Sequence, residues 1–90
     1  MPKTVEQIVK NFRGEISLRD FAESLTAGIE GLSISYQTIS NWENGTKPDK
    51  WTLVQIAIRT SDWRQEFALE ILCNLDPRQY AEISHYISGF

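Results

Sequence analysis

Much that would define a function class is scarce in this sequence. It has one cysteine, Cys73, and one histidine, His85. An internal disulfide is therefore impossible, and a zinc site of Cys and His ligands has no cluster to draw on. Five glycines and three prolines form no low-complexity segment or repeat, and 41% hydrophobic with 23% charged residues is a globular composition. No apolar run is long enough to span a bilayer, and no charged segment leads into a signal-like apolar stretch. The expectation is a soluble, unexported, cytoplasmic protein with no membrane partner. Cys73 lies in the apolar run 67–75 and is expected as a core thiol. Catalysis would need Cys73 as nucleophile with His85 as its base, a single pairing with nothing around it. Gly28 and Gly31 lack the Lys and the preceding strand of a phosphate-cradling loop. No enzyme, no cofactor and no metal are expected.

A basic excess is missing too. The net charge is −3, where phosphate binding usually leaves a positive footprint. The acidity is uneven, however. Residues 1–59 hold seven Lys/Arg against seven Asp/Glu, and residues 60–90 hold two against five. Only the first part suits a nucleic acid, and its hold on non-specific DNA should be weak at physiological salt.

What the sequence does have is centred on residues 35–45, Ser-Tyr-Gln-Thr-Ile-Ser-Asn-Trp-Glu-Asn-Gly. Ser35 is a helix N-cap, Gly45 suits the left-handed position after the last turn, and Ile39 and Trp42 form one narrow apolar edge. The opposite face carries Tyr36, Gln37, Ser40 and Asn41, neutral hydrogen-bonding groups rather than the Lys/Glu mixture of a solvated helix. Amides pair with base edges and hydroxyls reach bases or phosphates, and a short helix fits the B-DNA major groove. Residues 35–44 read as a recognition helix.

Other helices surround it. Thr4 with Gln7 makes a capping box for a helix presenting Val5, Ile8, Val9 and Phe12 on one face, ended by Gly14. Ser17 caps a second helix that buries Leu18, Phe21, Ala22 and Leu25, where small Ala22 permits close helix approach. Residues 26–34 have no sustained period and form a long turn. After 35–44, Pro48 blocks continuation and Asp49 caps a fourth helix, whose Trp51, Leu53, Val54, Ile56, Ala57 and Ile58 are expected to be largely buried. Asp62 starts a fifth helix over 62–74 with Trp63, Phe67, Ile71 and Leu75 as its stripe. Asp76-Pro77 starts a sixth over 77–88, with Tyr80, Ile83 and Ile87 aligned. No run alternates with period two for long, so the class is all-α.

Ser17-Leu-Arg-Asp-Phe-Ala22, the segment 35–45, and Pro48 followed by Leu53, Ile56 and Ala57 together resemble the helix-turn-helix domain of the phage lambda repressor and Cro type, the Xre family. The resemblance covers residues 4–60; its specific part is Ile-x-x-Trp-Glu-x-Gly with the proline three residues on. It implies a lambda-repressor-like bundle over 1–60, extended by one or two C-terminal helices in 61–90. By the resemblance Ser35, Tyr36, Gln37, Ser40 and Asn41 face the bases, and Ser17, Arg19, Asn44, Thr46 and Lys47 hold the phosphates. Arg13 and Lys50 are weaker phosphate candidates, and Lys50 reads as a solvated surface charge. The chain departs from the pattern in a longer stretch between Ala22 and Ile39 and in Leu18, where many relatives have a DNA-contacting Gln. Glu43 is read as structural, with Arg13 or Lys10 as its partner.

Residues 61–90 add large apolar groups: Trp63, Phe67, Leu69, Ile71, Leu72, Leu75, Tyr80, Ile83, Tyr86, Ile87 and Phe90. Leu69 and Tyr86 fall off the helical stripes, and surplus apolar surface marks an interface. A homodimer is expected through Trp63, Phe67, Leu69, Tyr80, Ile83, Tyr86 and Ile87, setting two recognition helices about 34 Å apart over a near-palindromic site. The expected function is sequence-specific binding of double-stranded DNA by a transcriptional regulator, in the first instance a repressor, nucleoid-associated when bound. The alternative is a protein-interaction module, an antitoxin or adaptor whose acidic residues 61–90 hold a protein partner and whose DNA binding is secondary.

Overall fold

The computed structural model describes residues 3–88, and all its regular elements are helices: α1 Val5–Arg13, α2 Leu18–Thr26, α3 Tyr36–Glu43, α4 Lys50–Arg59, α5 Trp63–Leu75 and α6 Pro77–Ser88. Among the described residues there is no strand. Among the described residues no helix is long and apolar enough to cross a membrane. Met1, Pro2, Gly89 and Phe90 lie outside the described residues, and with them the apolar contribution expected of Phe90.

Contacts group the chain into two compact units, one ending at Pro48 and the other beginning at Asp49. The sequence suggested a division after residue 60; α4 instead packs with α5 and α6. By unit, the first carries Lys3, Lys10, Arg13, Arg19 and Lys47 against Glu6, Glu15, Asp20, Glu23, Glu30 and Glu43. The second carries Lys50, Arg59, Arg64 and Arg78 against Asp49, Asp62, Glu66, Glu70, Asp76 and Glu82.

In the first unit the helix boundaries follow from local hydrogen bonds. Thr4 and Gln7 close a complete capping box, the Thr4 N–H donating to Gln7 Oε1 at 2.9 Å and the Gln7 N–H to Thr4 Oγ1 at 3.2 Å. Gly14 ends α1 with φ 58°, and Ser17 Oγ caps α2 by accepting from the Asp20 N–H at 3.1 Å. α3 packs on both α1 and α2. Val5, Ile8, Val9, Phe21, Ala22, Leu25, Ile39 and Trp42 are buried, while Phe12 and Leu18 are only half-buried. The long connection 27–35 is held by buried Ile29, and the absence of helical period in it corresponds to an irregular path.

In the second unit α4, α5 and α6 pack on one another. Gln65 closes the α4–α5 turn by donating Nε2 to the Ala57 carbonyl at 2.9 Å and the Thr60 carbonyl at 2.7 Å. Thr60, a buried polar side chain, donates to the Ile56 carbonyl at 2.6 Å, so its hydroxyl is satisfied. Asp76 joins two helices: its N–H donates to the Leu72 carbonyl at 2.8 Å, ending α5, and its Oδ1 accepts from the Gln79 N–H at 3.2 Å, starting α6.

Three expectations for this unit need correction. Trp51 and Ile58 were assigned to the buried face of α4 but are 59% and 41% exposed, because the buried stripe runs through Leu53, Ile56 and Ala57 and both residues point away from it. Asp49 makes no side-chain bond to the start of α4; its carboxylate accepts from the Thr52 hydroxyl instead. Cys73 is exposed rather than a core thiol, since α5 buries Phe67, Ala68, Ile71 and Leu72, and Cys73 sits two residues past Ile71, on the far side of the helix.

Candidate nucleic-acid interface

The geometry of α3 follows from its two ends and its apolar edge. Ser35 Oγ accepts from the Thr38 N–H at 3.3 Å and lies 3.2 Å from the Thr38 hydroxyl. At the other end the Thr46 N–H reaches the Asn41 carbonyl at 2.9 Å and the Gly45 N–H reaches the Trp42 carbonyl at 3.4 Å. These are the paired bonds of a Schellman turn, and Gly45 takes the positive φ, 109°, that the turn requires. Ile39 is fully buried and Trp42 is 4% exposed. With that edge pinned, Tyr36, Gln37 and Asn41 are exposed on the rest of the helix and Ser40 is half-buried beside them.

Glu43, the one acid on α3, is neutralised. Arg13 donates Nε to Glu43 Oε2 at 2.6 Å and Nη2 to Oε1 at 3.0 Å, a two-pronged ion pair in which the Glu43 side chain is 9% exposed. A third guanidinium nitrogen, Nη1, donates to the Ile16 carbonyl at 2.9 Å. The hydrogen bond to Glu43 raises the Arg13 pKa above its ordinary value. Of the two partners the sequence offered Glu43, the structure selects Arg13 over Lys10. Three of the five Arg13 N–H donors are thereby engaged by α3 and the α1–α2 turn, which gives Arg13 a structural role.

α2 brings a cation to this face. The Arg19 guanidinium sits over the Tyr36 ring, 5.4 Å from its centroid, within cation–π range. Nothing in the sequence signalled that contact, since its geometry depends on the path of 27–35. On α3 itself Gln37 Nε2 donates to Asn41 Oδ1 at 3.2 Å, one turn on. Asn44 donates Nδ2 to the Ser40 carbonyl at 2.7 Å, so its amide is turned back on the helix end rather than outward to a phosphate. The Ser35 and Ser17 oxygens are likewise occupied by their caps. Arg19, Thr46 and Lys47 are exposed. The expected set therefore divides: Tyr36, Gln37, Asn41, Arg19, Thr46 and Lys47 present side chains outward, while Ser35, Ser40, Asn44 and Ser17 chiefly shape the helix ends.

The residues expected to pair two copies all lie in the second unit. Tyr86 is 58% and Trp63 38% exposed, and Leu69, Tyr80, Ile83 and Ile87 are half-buried. Phe67 does not belong with them: it is 1% exposed, with its ring 6.3 Å from that of Trp63, and has no surface to offer a second copy. Lys50 donates to Asp76 at 3.2 Å across the α4 and α6 starts and is a surface ion pair. An open groove of about 420 Å3 is lined by Glu66, Leu69, Glu70, Cys73 and Tyr80, without His85. Among the described residues no group of three or more His, Cys, Asp or Glu could hold a metal ion.

Comparison with known proteins matches the chain to no family model, no curated protein and no solved structure.

Proposed function

We propose that the chain binds duplex DNA sequence-specifically as a transcriptional regulator, a repressor in its simplest mode, with α3 in the major groove of a lambda-repressor-like helix-turn-helix. The observation that carries this is the composition of the exposed face of α3. Tyr36, Gln37 and Asn41 offer neutral hydrogen-bonding groups outward, and the only acid on the helix is taken up by Arg13. An ordinary surface helix has no reason to exclude charge from its solvent face, whereas a base-reading helix has one: carboxylates there repel phosphates. Arg19 and Lys47 supply backbone contacts from either side of α3. Two cations against a unit that carries one more acid than base make non-specific affinity low, so the base contacts must supply most of the binding.

A homodimer through α5 and α6 completes the reading. α6 buries none of its residues, and Tyr86 and Trp63 leave aromatic surface exposed. The same exposed surface favours the second reading, an antitoxin or adaptor that holds a protein partner through its second unit.

The test is selection of bound duplexes from a randomised pool at two salt concentrations, with wild type beside the double change Gln37→Ala, Asn41→Ala. Enrichment of a near-palindromic site by wild type, lost in the variant, is the expected result. If wild type enriches nothing at low salt, the DNA reading fails and the protein-partner reading leads.

A further inference from the structure

We infer that Gln37 and Asn41 act as one coupled reading unit, Gln37 taking an adenine and Asn41 an acceptor-rich neighbour, guanine or thymine, with Asn41 positioning the Gln37 amide. This rests on the DNA-binding reading above. The two side chains are exposed and four residues apart on α3, with Gln37 Nε2 donating to Asn41 Oδ1 at 3.2 Å. An unrestrained primary amide turns over freely and offers either its oxygen or its nitrogen to the groove, so alone it discriminates poorly between edges.

The hydrogen bond couples the two amides, so that the orientation of one sets that of the other. One Nε2 proton of Gln37 is directed at Asn41, leaving Oε1 and the second proton as an acceptor–donor pair. That pair is complementary to the N6 amino group and N7 of adenine, the bidentate match for a glutamine. Asn41 has its oxygen engaged by Gln37 and turns two N–H donors outward. The edges that answer donors alone are O6 and N7 of guanine or O4 of thymine; the amino group of cytosine would meet a donor with a donor. The bonded amide groups are 3.2 Å apart, close to the spacing of about 3.4 Å between stacked base pairs, so the two amides reach neighbouring pairs. Asn41 is thus a positioning residue for Gln37 as well as a contact in its own right.

The experiment is the same duplex selection run on wild type, Asn41→Ala and Asn41→Asp, with circular dichroism on each. Wild type should enrich adenine beside guanine or thymine. Asn41→Ala should lose the neighbouring preference and also lower the adenine preference roughly tenfold, because the Gln37 amide is released. Asn41→Asp still accepts from Gln37 but has no donor: it should bind more weakly overall, since its carboxylate repels phosphates, while keeping the adenine preference and moving the neighbour towards cytosine. An adenine preference equal in Asn41→Ala and wild type would overturn the coupling while leaving DNA binding intact. A wild type that enriches no sequence would overturn the DNA reading and this inference with it.

Discussion

In the first unit the large aromatic next to the end of α3, Trp42, is 4% exposed, and what α3 turns outward is Tyr36, Gln37 and Asn41. In the second unit Trp51, Ile58, Trp63 and Tyr86 are all more than a third exposed. Among the described residues the first unit leaves two large apolar side chains exposed, Ile16 and Tyr36, and buries its tryptophan, whereas the second leaves four exposed, two of them tryptophans. Two small units of three short helices each therefore offer different surfaces to a partner. Polar groups at fixed positions suit directional recognition, where each donor must meet an acceptor. Exposed aromatic area suits association by burial, which is less particular about position.

The contrast is most easily broken at the two tryptophans. Trp42→Ala should destabilise the chain by about 3–5 kcal/mol, the cost of emptying a filled aromatic site. Trp51→Ala should change stability by less than about 0.5 kcal/mol, because most of that ring is already in water. Chemical denaturation of both variants checks this, and similar losses would mean that the surfaces of the two units do not differ as described.

Next in size is the ion pair that fixes the end of α3. Glu43→Ala leaves the Arg13 guanidinium, only 23% exposed at its side chain, without its carboxylate. A loss of about 1–3 kcal/mol is expected for a partly buried charged donor stripped of its partner. On the proposed DNA-binding reading the change should also weaken that binding without altering which bases are preferred, since the Glu43 carboxylate is held by Arg13. A shifted base preference would mean that Glu43 itself reads the groove.

How far these features could be read from the sequence depends on how local they are. Thr4, Ser17, Ser35 and Asp76 each accept from the backbone N–H three residues on, and all four helix starts were legible from local signals: the capping box of Thr4 and Gln7, the cap residues Ser17 and Ser35, and Asp76 before Pro77. Gly14 and Gly45 were legible as ends for the same reason. The burial of Trp51 was misread because α4 is apolar on nearly every side, and composition alone does not say which side faces inward. Cys73 was misread similarly, from a run of apolar neighbours rather than from its angle on α5. The choice of Arg13 over Lys10 for Glu43 spans 30 residues, and the stacking of Arg19 on Tyr36 depends on an irregular connection. Neither has a periodic signal to carry it.

The smallest expected effect concerns acid, and it belongs to the second unit. The Gln79 N–H, with help from the Lys50 ammonium, holds the Asp76 carboxyl below its ordinary value of 3.8, and the Arg64 side chain does the same for Asp62. A carboxylate whose pKa is lower in the folded chain than in the unfolded one adds stability above the unfolded value and loses it as pH falls through the folded one. Between about pH 5 and about pH 3 the wild-type melting temperature should therefore fall. Asp76→Asn keeps a residue suited to the start of α6 but has no proton to take up. Its melting temperature should be slightly lower than wild type near neutrality, where the Lys50 contact counts, and should fall less on acidification. The exposure of both partners in that contact keeps the difference small. Parallel acid slopes in wild type and variant would place the sensitive group elsewhere, with Asp62 the next to test.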